Sequence, residues 1–147
     1  MSAGKGVPSR TFFDTNLLLY LFDVGEPEKS EAARRAFGGT QPGDLVVSTQ
    51  VLQEFYWNAT RKLSPPLAPD EAAEHLRAFS AHTVIIVDVA LILAAVARAT
   101  SARIAFRDGL IVEAALAAGC TRLLTEDLQD GRDFDGLRVV NPFTAQG

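Results

Sequence analysis

Short apolar runs alternate with longer amphipathic stretches along nearly the whole chain. Residues 11–14 are short, aromatic and flanked by polar positions, which predicts a buried strand. A short helix follows over 17–22. A second helix spans 28–37, opened by Pro27 and closed by Gly38-Gly39. Residues 41–44 make a turn into a strand over 45–47. Ser48 can cap a helix running from Thr49 to Lys62, which Ser64-Pro65-Pro66 breaks. Next come a helix over 70–79, a strand over 84–87 and an Ala-rich helix capped by Asp88 and running to Ala99. A helix over 107–118 stops at Gly119. Strands over 123–125 and 137–140 complete the pattern before Asn141-Pro142.

Five short strands separated by helices imply an α/β fold, a three-layer α/β/α sandwich around a five-stranded parallel sheet. No repeat or linker divides the chain, so one domain is expected over 11–143, between a flexible segment 1–10 and a tail 144–147. In such sheets ligands bind beyond the carboxyl ends of the strands, where strand order reverses. Asp14 ends the first strand, and Thr125 and Asp127 lie at the end of the fourth. Glu54 falls within two helical turns of the second. These acids meet in one crevice if strands one and four are neighbours. On the helix after Arg107, Asp108 shares the apolar face of Ile111, Ala115 and Ala118, whereas Glu113 points elsewhere, toward solvent. Glu54 sits at the margin of the stripe formed by Val51, Leu52 and Phe55.

Composition narrows the chemistry. With 147 residues and 48% hydrophobic content, the chain can bury a sizeable core. Its net charge of −4 and pI near 5.1 give no basic field for nucleic acid. Acids gathered in a metal site would lower the charge without repelling phosphate once a cation is bound. The single cysteine, Cys120, excludes an intrachain disulfide and a thiolate metal cluster. His75 and His82 belong to no motif. The N-terminus lacks an apolar secretory core, and the most hydrophobic stretch, 84–96, is interrupted by Asp88 and too short to span a bilayer. The expectation is a soluble cytoplasmic protein with no membrane partner.

Asp14, Glu54, Asp108 and Asp127 are then the candidate site. Each has an ordinary explanation: an Asx turn for Asp14, a surface glutamate for Glu54, helix-dipole complementation for Asp108. Asp127 lies among Glu126, Asp130, Asp133 and Asp135, where solvated charge is the default. Together they form an all-oxygen set suited to Mg²⁺ or Mn²⁺, with Thr15, Asn16 and Thr125 able to orient them.

The run Phe12-Phe13-Asp14-Thr15-Asn16, the glutamate in Gln53-Glu54-Phe55, Phe106-Arg107-Asp108-Gly109-Leu110-Ile111, and Leu124-Thr125-Glu126-Asp127-Leu128-Gln129-Asp130-Gly131 resemble the four acidic motifs of PIN domains. More narrowly, they resemble VapC toxins of bacterial toxin–antitoxin pairs. The resemblance implies a Mg²⁺- or Mn²⁺-dependent endoribonuclease that dimerises and pairs with an antitoxin protein. Gly109 departs from the Ala of many relatives and should loosen the helix start. In this picture two cations flank the scissile phosphate of an RNA substrate. Asp14 is the central ligand, Glu54 and Asp108 complete a first site, and Asp127 helps hold a second, weaker one. Arg34, Arg35, Arg61, Lys62, Arg103 and Arg107 are candidates for meeting phosphates, and Tyr56 and Trp57 for stacking on bases. The Tyr56-Trp57 pair and the Ala-rich helix offer apolar area for a homodimer.

Two rivals compete with this picture. A haloacid-dehalogenase-type phosphohydrolase needs a second Asp two positions after the first, and Asn16 stands there. A PIN-like RNA-binding or protein-interaction module with weak catalysis is disfavoured because all four acids are present. The absence of a Gly-Lys-Ser/Thr motif excludes a P-loop enzyme.

Overall fold

The structure, a computed structural model, describes residues 9–144. The expected flexible segment 1–10 and tail 144–147 lie outside the described residues, apart from residues 9, 10 and 144. Six strands form one sheet: β1 (Thr11–Phe13), β2 (Leu45–Ser48), β3 (Thr83–Ile85), β4 (Arg122–Leu124), β5 (Asp133–Phe134) and β6 (Leu137–Val140). Their order across the sheet is β3-β2-β1-β4-β6-β5. All neighbours run parallel except β5, which is antiparallel to β6.

The sixth strand corrects the expected five-stranded, wholly parallel sheet. Its cause is local: Asp135 and Gly136 both take positive φ, 53° and 97°. Two such residues between Phe134 and Leu137, which pair directly, close a tight hairpin with the twist that antiparallel strands favour.

Helices α1 (Thr15–Tyr20), α2 (Pro27–Gly38), α3 (Thr49–Ala59), α4 (Pro69–Phe79), α5 (Val89–Ala102) and α6 (Phe106–Ala117) connect the strands. The first begins two residues earlier than expected because the Asp14 side chain accepts the Thr15 N–H at 2.6 Å. The third ends at Ala59, short of Lys62. The fifth runs past Ala99 until Arg103 turns left-handed, with φ 58°.

Residues of β1 and β2 are buried on both faces, as central parallel strands are. Phe12, Phe13, Val46, Val47, Leu123 and Leu124 form the middle of the core. Phe55, Phe79, Phe37 and Phe22 interlock at one side through edge-to-face and tilted contacts. On the other side α5 and α6 approach so closely that a β-carbon on Gly109 would lie 2.8 Å from the Ala95 carbonyl oxygen. Gly109 is therefore a close-packing glycine, not a loosened helix start. Glu113 also differs from its expected exposure. It accepts from Arg98 Nε at 2.6 Å, and Arg98 reaches on to Asp135 at 2.9 Å, tying both helices to the hairpin. Among the described residues no single helix is long and apolar enough to cross a membrane.

Candidate metal centre

Strand order reverses between β1 and β4, which pair from Thr11 with Arg122 through Phe13 with Leu124. The ladder continues one step beyond them, where the Asp14 N–H donates to the Leu124 carbonyl at 3.0 Å. That places Asp14 beside Thr125, and the Thr125 hydroxyl donates to Asp14 Oδ2 at 2.7 Å. Asp14 is only 1% exposed, so these donors stand in for the water it lacks.

The same Thr125 oxygen accepts the Asp127 N–H at 3.0 Å, curling the loop so that Asp127 faces Asp14. Asn16 Nδ2 donates to Asp127 Oδ2 at 3.1 Å from the first turn of α1. Asp108 enters from the first turn of α6. One carboxylate oxygen each from Asp14, Asp108 and Asp127 lie within 4.8 Å of one another. Glu54 lies beside that trio: Thr15 Oγ1 donates to it at 2.7 Å and Gln50 Nε2 at 3.2 Å.

Arg107 enters the middle of the cluster. Its Nη2 donates to Asp14 Oδ1 and Glu54 Oε1, each at 2.6 Å. Its Nη1 lies 3.1 Å from both Asp14 Oδ2 and Asp108 Oδ1, and 3.7 Å from Asp127 Oδ2. Burial works against the Arg107 charge, but Asp14 and Glu54 overcome it and hold the guanidinium more firmly protonated than usual. Burial would also raise Glu54, yet hydrogen bonds from Arg107 and Thr15 bring it below the usual carboxylate range. Asp108 is pushed up, chiefly by burial and despite Arg107. Asp127 is pushed up by burial and by the neighbouring charge of Asp14. Four carboxylates around one guanidinium leave the cluster short of positive charge.

A cleft of about 400 Å³ opens from the acids, lined by Thr15, Asn16, Glu54, Asn58, Arg107 and Asp127 among others. Lys62 lines an adjoining hollow with Asn58 and Glu126. The other cations expected to meet phosphate lie elsewhere or are occupied. Arg61 stacks on the exposed Trp57 ring at 3.4 Å, Arg34 donates to the Leu21 carbonyl, and Arg35 pairs with Glu31. Arg103 ends α5. Trp57, at 57% exposed, is not a core residue.

Two contributors escape a sequence-only view. Gln50, one turn before Glu54, donates to both Glu54 and the Arg107 carbonyl, and the four-residue spacing was the available signal. Glu126 is clamped by the Tyr20 hydroxyl at 2.8 Å and Lys29 at 3.1 Å, which fixes the loop carrying Asp127. No local pattern announces a contact between residues 97 positions apart.

Solved structures share this fold. A toxin–antitoxin complex from Klebsiella pneumoniae contains a chain that matches with a TM-score of 0.68 at 21% identity, over 90% of this chain and 98% of that one. The DNA-bound VapBC of Salmonella typhimurium matches at 0.62 and 22%, covering 89% and 96%. The sarcin–ricin loop cleaving toxin VapC20 of Mycobacterium tuberculosis matches at 0.60 and 19%, covering 77% and 86%. At these identities the likeness is one of fold. No curated protein matches the sequence. The PIN domain profile, however, matches residues 11–134, which take in β1 through β5 and all four acids, and the chain belongs to the PIN domain family.

Proposed function

We propose that this protein is a Mg²⁺- or Mn²⁺-dependent endoribonuclease, the toxin of a toxin–antitoxin pair, that hydrolyses RNA to 5′-phosphate and 3′-hydroxyl ends. One observation carries the reading: carboxylate oxygens of Asp14, Asp108 and Asp127 come within 4.8 Å at the strand reversal of a PIN-domain chain. The donor set fits a hard cation. It is all oxygen, and beside it Asn16 and Gln50 each keep a buried carbonyl oxygen with no partner among the described residues. A divalent cation there would supply charge to a phosphodiester and acidify an attacking water.

The chain's own residues do the rest. Thr125 and the Thr15 N–H hold Asp14 in one orientation, and Asn16 steadies Asp127. Preset carboxylates need no rearrangement during reaction. Thr15 and Gln50 fix Glu54 at the cleft wall, where it would help to hold a cation. Lys62 in the adjoining hollow is suited to a neighbouring phosphate.

Partners follow from the surface and from the relatives. Val89, Leu93 and Val96 on α5 are exposed, as are Ile86 and Phe106 nearby. An apolar face of this extent on a small domain supports an isologous homodimer. The Klebsiella and Salmonella relatives come from toxin–antitoxin and VapBC assemblies, which supports a cognate antitoxin for this chain as well. The test is cleavage of a structured RNA by wild type and Asp14→Asn in parallel, with Mn²⁺ or with EDTA. Wild type should cut only with metal, and Asp14→Asn should lose orders of magnitude in rate. Undiminished cleavage by Asp14→Asn would move the reaction to another site.

A further inference from the structure

Arg107 Nη1 touches one oxygen of Asp14 and one of Asp108 at 3.1 Å and lies 3.7 Å from an oxygen of Asp127. These are the three carboxylates that converge. A Mg²⁺ or Mn²⁺ ion needs its oxygens at about 2.0–2.2 Å, so an ion among them and this guanidinium would claim the same space. Arg107 also binds Glu54 through Nε and Nη2, so one side chain reaches all four acids. It offsets part of the charge of a cluster that would otherwise be four unpaired carboxylates at close range.

We infer that Arg107 is an internal lock, a built-in cation that holds the acids in the resting protein and is displaced when metal binds. The inference rests on the reading of these acids as a metal centre. The exchange is sterically simple. Arg107 sits in the first turn of α6, its side chain is one-third exposed, and it borders the 400 Å³ cleft. Swung into that cleft, the guanidinium can pair with a phosphodiester in bidentate fashion, as carboxylates hold it in the resting state. One residue therefore serves in two states: it suppresses metal loading, then becomes a phosphate clamp beside the loaded acids. Lysine would substitute poorly, because it lacks the planar fork with which Nη1 and Nη2 hold both oxygens of Asp14.

Arginine-selective labelling of wild type with p-hydroxyphenylglyoxal, read by peptide mass spectrometry, tests the displacement without any mutation. In EDTA, Arg107 should be protected relative to the exposed Arg35. Saturating Mn²⁺ should raise its labelling by about tenfold while Arg35 stays constant. Calorimetric Mn²⁺ titration of wild type, Arg107→Ala and Asp14→Asn supplies the second readout. Arg107→Ala should bind Mn²⁺ on the order of ten- to a hundredfold more tightly, since a charge-assisted contact no longer competes. Equal Mn²⁺ affinity in wild type and Arg107→Ala, with Arg107 protected in both states, would overturn the lock and leave the metal centre standing. Absence of Mn²⁺ binding by both folded proteins would overturn the lock together with the metal centre.

Discussion

Replacing Gly109 with alanine separates local helix preference from packing. In an isolated helix the change would stabilise by about 0.5–1 kcal/mol, since glycine is the poorer helix former. Here the added methyl would sit 2.8 Å from the Ala95 carbonyl oxygen and 3.5 Å from the Ala99 β-carbon. The first contact is with backbone, so no side chain can rotate away and α5 and α6 must separate by a few tenths of an ångström. Overpacking of this kind costs about 1–3 kcal/mol. Against the helix gain, the net expectation is a loss of about 1–2 kcal/mol, or roughly 2–6 °C in Tm for a domain of this size. Urea denaturation monitored by circular dichroism measures it, with an unchanged m-value expected. A stabilisation of about 0.5 kcal/mol or more would refute the close-packing argument and restore Gly109 to an ordinary flexible helix position. Because Asp108 precedes it, Gly109→Ala should also weaken Mn²⁺ binding, as the first turn of α6 moves.

Three other outcomes follow from the same geometry. Arg98→Ala should cost about 1.5–3 kcal/mol, because it strands the mostly buried Glu113; a loss below about 0.5 kcal/mol in urea denaturation would show the pair to be incidental. Burial holds the Asp108 carboxyl above its ordinary range, so its contribution is full below the unfolded pKa and disappears as pH rises through the raised folded value. Asp108→Asn measured in EDTA should therefore gain stability relative to wild type across that window and plateau at neutral pH, and a gain that shrinks with rising pH would contradict this sign. Leu93→Glu, on the exposed apolar face of α5, should convert a homodimer to a monomer in sedimentation equilibrium, whereas an unchanged assembly would place the interface elsewhere.

Much of the frame was legible because it is written locally. Apolar runs of three or four residues bounded by turns located β1, β2, β4 and β6, and the parallel alternation placed Asp14 and Asp127 near a common edge. The β5 hairpin was missed although Asp135-Gly136 is a strong turn signal, because the acidic run around it reads equally well as a solvated loop. What could not be read is convergence over distance. Arg107 contacts Asp14 across 93 positions, and Glu113 meets Arg98 across 15. A charged residue's periodicity gives its face but not the charge opposite, so Glu113 looked exposed and Arg107 looked like a free phosphate ligand. Gly109 shows the same limit: its meaning lies in Ala95 on another helix, not in its own propensity.

The central claim is that the converged carboxylates direct a cation-dependent hydrolysis of RNA, and the ends of the products test it most directly. Wild-type protein is incubated with end-labelled structured RNA and Mn²⁺, and the new termini are probed with phosphatase, kinase and polynucleotide ligation. The products should carry 5′-phosphate and 3′-hydroxyl ends, with no cleavage in EDTA and none above background for Asp14→Asn. Products ending in 2′,3′-cyclic phosphate would mean that the RNA's own 2′-hydroxyl attacks, and cutting that persists in EDTA would mean that no cation is needed; either result would contradict the four acids as the reaction centre.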